Sequence, residues 1–105
     1  MTPIEIQRRA VELLTHFAKE AISPRKRNEL ANVLKKQTSY LQVKHTDRDV
    51  AINLNYLHNH ISKTLQAFPK LKGLYPTAMT LLSEMEASVR KSTGEFTHPE
   101  GKSGV

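Results

Sequence analysis

Val50, Leu54, Leu57, Ile61, Leu65 and Phe68 recur at intervals of three and four residues. At 100° per residue these side chains fall within about 80° of one another on a helix, whereas a strand would scatter them to both faces. The chain must therefore form at least one long amphipathic helix, and its other segments must supply apolar faces to cover that stripe. Thr46 precedes it as a cap, with Asp47 and Asp49 in the first turn, where the helix dipole favours acids. Pro69 is expected to end it.

Three further segments carry the same period. Thr2-Pro3-Ile4-Glu5 has the form of a capping box, and Ile6, Ala10, Leu13, Phe17 and Ala21 follow as one stripe with Leu14 beside it. This first helix is expected to reach about Ala21. Ser23-Pro24 opens a second helix, whose stripe of Leu30, Leu34, Gln37 and Leu41 is flanked by Val33 and Tyr40 and extends to about Lys44. Residues 38–43 are rich in strand-preferring types, which weakens this helix towards its end. A fourth helix starts near Pro76 or Thr77, shows Ala78, Leu81, Leu82, Met85 and Val89 on one side, and stops at Gly94. Residues 69–76, with two prolines and Gly73, are expected to form a loop anchored by Leu71, Leu74 and Tyr75.

Short connections around residues 22–23 and 45–46 make neighbouring helices antiparallel. The sequence thus predicts an all-α fold, an up-down four-helix bundle over residues 1–93, with a flexible C-terminal tail from 94 to 105. The 105 residues suit a single domain with one core.

Several function classes are disfavoured. The chain has no cysteine, so it holds no disulfide framework and no thiolate site, and a cytoplasmic location is expected. No apolar run is long enough to span a membrane, and Glu5, Arg8, Arg9 and Glu12 interrupt the region where a signal peptide would need its apolar segment. Gly101-Lys102-Ser103 lacks the upstream glycine and downstream helix of a phosphate-binding loop. His58 and His60 are two positions apart, about 200° around a helix, and cannot share a metal as a helical pair. His16 and Glu20 have better spacing but no implied third ligand. No nucleophile, base and oxyanion arrangement stands out, so no catalytic residue, metal or cofactor is assigned and the chain is expected not to be an enzyme.

Gln37 interrupts an apolar stripe. It reads as a buried amide hydrogen-bonded to its surroundings, or else as a polar group that sets the register of an oligomer.

Charge is the feature with functional content. The chain carries a net +6, and no acid occurs between positions 50 and 83. Arg25, Lys26 and Arg27 stand at a helix start, where the dipole disfavours cations by about 0.3–1 kcal/mol each. They read as a solvated helix start with Arg25 paired to Glu29, as an anion site, or as a contact for an acidic protein. A weaker stripe, Ile52, Tyr56, Asn59 and Lys63, runs along the far side of the third helix and reads as packing under residues 69–76 or another helix, or as a partner interface. Asn53, Asn55 and Asn59 point to local hydrogen-bonding demands.

The sequence therefore predicts a small non-enzymatic accessory or regulatory protein. It would bind nucleic acid through phosphate contacts at Arg25, Lys26, Arg27, Lys35 and Lys36. The alternative is a helical protein-interaction module, an inhibitor or adaptor, that uses Ile52, Tyr56, Asn59 and Lys63 to meet an acidic protein or a second copy of itself.

Overall fold

A hydroxyl side chain closes the first turn of each of the first three helices. In α1 (Pro3–Lys19), Glu5 N–H donates to Thr2 Oγ1 (3.3 Å) while Thr2 N–H donates to Glu5 Oε1 (3.0 Å), completing the capping box. Hydrogen bonds from Thr2, the backbone one foremost, hold the Glu5 carboxyl below its ordinary range. In α2 (Pro24–Tyr40) Lys26 N–H donates to Ser23 Oγ (3.2 Å), and in α3 (Asp47–Ala67) Asp49 N–H donates to Thr46 Oγ1 (3.1 Å). Each cap satisfies a donor that the helix itself leaves unpaired, typically worth about 1 kcal/mol. Helices α4 (Lys70–Leu74) and α5 (Ala78–Thr93) begin without such a bond. Helix α5 ends at Gly94, whose φ of 83° lies in the left-handed region that glycine enters without strain.

The computed structural model describes residues 2–94, and every regular element among them is an α-helix. The tail expected beyond Gly94, together with Gly101-Lys102-Ser103 and His98, lies outside the described residues. There are five helices where the sequence predicts four. The extra one, α4, is a single turn inside the expected loop, too short to display an apolar period. Leu71 anchors it fully buried and Tyr75 half-buried, but Leu74 is exposed.

Two helices stop short of expectation. Helix α1 ends at Lys19 because Glu20 turns extended, which lets Ile22 fold into the core. Helix α2 ends at Tyr40, four residues before Lys44. His45 folds straight back onto it, ring stacked on ring at 3.6 Å, with Nε2 against the Tyr40 carbonyl oxygen at 2.9 Å.

Helix α1 packs against α2, α3 and α5, and α3 packs against α1, α5 and α4. Ala10, Leu14 and Phe17 of α1 meet Leu54, Leu57 and Ile61 of α3 and Met85 of α5 in one fully buried cluster. Burying each large aliphatic side chain contributes about 1.5–3 kcal/mol relative to exposure. Helix α2 adds only Leu30 and Val33 as buried apolar side chains. Its outer side is correspondingly polar, and polar ties complete its attachment.

Candidate functional site

Arg27 turns back onto the end of α1. Its Nε–H donates to the Ala18 carbonyl (3.2 Å) and Nη2–H to that of Glu20 (2.9 Å), and Lys70 Nζ donates to Ala21 O (2.9 Å). Two cations thus cover the negative end of the α1 dipole, which offsets the cost of placing Arg27 at the positive end of α2. Lys26 is drawn inward to Glu29, with Nζ 3.4 Å from a carboxylate oxygen. Glu29 takes Lys26 and His60 rather than the expected Arg25, which stays exposed with no ion pair among the described residues.

The exposed face of α2 runs through Arg25, Asn28, Asn32, Lys35, Lys36 and Ser39. These positions span about 100° of arc, opposite Leu30, Val33 and Gln37. Three cations alternate with amides and a hydroxyl, and the one acid of α2, Glu29, stands at the edge of the face about 20° beyond Lys36. Asn32, Lys35, Lys36 and Ser39 border an open hollow of about 500 Å³. Of the five cations singled out in the sequence, the structure brings Arg25, Lys35 and Lys36 to this surface, and turns Lys26 and Arg27 to internal contacts.

The seam between α2 and α3 is lined by polar groups. Gln37 is buried, donating to Asn53 Oδ1 and accepting from its amide, which is the hydrogen-bonded interior role. Buried Gln7 approaches the same oxygen of Gln37 from α1 at 3.5 Å. Further along, His60 is held by the edge of the Tyr56 ring, 4.7 Å between centroids, and its Nδ1 lies 3.5 Å from Glu29 Oε1 in a geometry outside a hydrogen bond. Burial pushes the His60 imidazole below its ordinary pKa; Glu29 opposes this, while Lys26, Lys63 and Lys36 add to it.

Tyr56 is half-buried on the side of α3 that faces α2, packed against the core with its ring beside His60 and near the charge of Glu29. Burial raises its pKa, with Glu29 adding. Asn59 is half-buried with an unpartnered buried Oδ1, and Lys63 is exposed. Ile52 is 58% exposed. It borders a hollow of about 480 Å³ with Tyr40, His45, Asp49, Asn53 and Tyr56, and Val43, 63% exposed, belongs to the adjoining turn.

Other polar groups serve the fold. Buried His58 places Nε2 3.0 Å from Glu86 Oε2, tying α3 to α5, a link between residues too distant in sequence to anticipate. Tyr75 donates to Glu20 and lays its ring against Phe17 and His16, so His16 and Glu20 both serve to hold this loop. The bond to Glu20 raises the Tyr75 pKa. Among the described residues no three His, Asp or Glu side chains gather as a metal site, and no helix is long and apolar enough to cross a membrane.

No protein-family model, curated protein or solved structure matches the chain.

Proposed function

We propose that this is a small non-enzymatic accessory or regulatory protein, acting in the cytoplasm, that binds nucleic acid by contacting backbone phosphates. The observation that carries this reading is the exposed face of α2, where Arg25, Lys35 and Lys36 outnumber the single acid, Glu29, at its edge. Arg25 and Lys36 are eleven residues apart, so the cations extend over about 16 Å of helix, enough to meet several phosphates of one strand. Arg27 and Lys26, already engaged by α1 and Glu29, contribute less than Arg25, Lys35 and Lys36. In this reading α1, α2, α3 and α5 run as an up-down four-helix bundle, a shape favoured by the short links at residues 20–23 and 41–46. Such a rigid body presents α2 as a ridge and reads phosphate geometry rather than base edges. Titration of duplex and single-stranded oligonucleotides at low salt tests the proposal: retarded complexes that dissolve on adding salt support it, and no complex at low salt overturns it.

A second reading is favoured by a different observation. Leu41, Val43 and Ile52 are exposed at the junction of α2 and α3, an apolar group of the kind that partner proteins cover. On this view the chain is an interaction module for an acidic protein or a second copy. Ile52→Asp would abolish the self-association or capture that light scattering and co-purification detect.

A further inference from the structure

Beside the outer face of α2, four cation-forming side chains converge on one stretch of the seam with α3. Lys26 and Lys36 come from α2, Lys63 and His60 from α3, and the charges of the three lysines all reach the His60 ring. Glu29, the sole acid of α2, stands among them, 3.4 Å from Lys26 Nζ and 3.5 Å from His60 Nδ1. Lys26 and His60 are largely enclosed, at 14% and 15% exposure, whereas Glu29 is 42% exposed. The carboxylate can therefore swing to solvent while the groups that hold it stay in place. The buried Nδ1 of His60 is left without a hydrogen bond, so the seam is incompletely satisfied as it stands.

We propose that this seam is a phosphate-binding site in which a backbone phosphodiester replaces the Glu29 carboxylate between Lys26 and His60, with Lys36 and Lys63 alongside. The inference rests on the nucleic-acid reading and adds its regulation: Glu29 is a resident anion that an incoming strand must displace. A phosphodiester and a carboxylate carry the same single charge, so a lone phosphate has little advantage. A strand whose neighbouring phosphates already hold Arg25 and Lys35 delivers the next one at high effective concentration, and displaces Glu29. The charged groups facing His60 are Glu29, Lys26 and Lys36 across the seam and Lys63 on its own helix. Glu29 makes no hydrogen bond to the buried Nδ1, whereas a phosphate oxygen seated in its place accepts one from the protonated ring, so binding takes up a proton and strengthens as pH falls.

The test is a titration of a fluorescently labelled DNA duplex with the full chain, Glu29→Gln, His60→Gln and Lys63→Gln, at about pH 7.5 and about pH 6, above and below the ordinary histidine pKa. Thermal melts run alongside. Glu29→Gln is expected to bind about fivefold tighter at the higher pH and Lys63→Gln about threefold weaker, as fits one charge gained or lost beside a phosphate. The native chain should tighten towards the lower pH and His60→Gln should not. If the native chain binds no duplex, the nucleic-acid reading falls and this inference with it. If it binds but Glu29→Gln and Lys63→Gln leave affinity unchanged, the seam takes no phosphate and the inference alone is overturned; should Glu29→Gln melt at too low a temperature to assay, exposed Lys63 decides the question.

Discussion

Gln37 and Asn53 exchange two amide hydrogen bonds between α2 and α3, 2.9 and 2.8 Å long. With Gln7 reaching the same oxygen from α1, three helices meet at one buried polar point. Gln37→Leu keeps the volume but strands the Asn53 amide, and is expected to destabilise the fold by about 1–3 kcal/mol. Replacing Gln37 and Asn53 together by leucine should cost less than the sum of the single changes, since neither amide is then left without its partner. Urea denaturation of the native chain, the two single variants and the double variant measures the coupling.

Arg27→Ala exposes the two carbonyls that its guanidinium covers at the end of α1. The expected loss is about 1 kcal/mol, reduced from the value for a buried charged hydrogen bond because Arg27 is exposed. Arg27→Lys should recover only part of it, because one ammonium cannot reproduce a two-nitrogen fork. Stability would fall while the affinity for nucleic acid changes little.

The His60 pKa lies below its ordinary value of 6.5 in the folded chain, chiefly through burial. The unfolded chain therefore binds a proton first as pH falls. Stability contributed by neutral His60 is complete above pH 6.5 and is lost progressively as pH drops through the folded pKa. Denaturation midpoints measured from neutral pH downwards should decline, and His60→Gln should flatten the part of the decline that begins near pH 6.5.

Leu57→Ala should separate stability from recognition. Leu57 is fully buried among α1, α3 and α5, and removing it leaves a cavity costing about 2–5 kcal/mol. Lys35→Ala, on the exposed face of α2, should stay within about 0.5 kcal/mol of the native chain. Thermal melts of both variants check the contrast, and the second confirms that surface variants fit for binding assays remain folded.

What could be read from the sequence was local. Caps at Thr2, Ser23 and Thr46 depend on residues three apart, and the apolar stripes depend on one helical period, so both are written in adjacent positions. The partners of Arg27, Lys70, His58 and Tyr75 depend on which helix ends come together, and no spacing encodes that. Arg27 was nonetheless within reach: a cation just after a short link faces the carbonyls of the helix before it. Helix α4 escaped because five residues cannot show a period. Lys26 and Glu29, three residues apart, pair because Lys26 lies on the buried side of α2, a distinction that charge alone does not make.

The salt dependence of duplex binding addresses the outer face of α2 most directly, compared between the native chain and a triple Arg25→Ala, Lys35→Ala, Lys36→Ala variant. A log–log plot of affinity against salt should be steep for the native chain and shallower by about 2–3 for the variant, close to 0.9 per lost phosphate contact. Equal slopes for the two proteins, or no binding by the native chain even at low salt, would contradict a phosphate-reading role for this face.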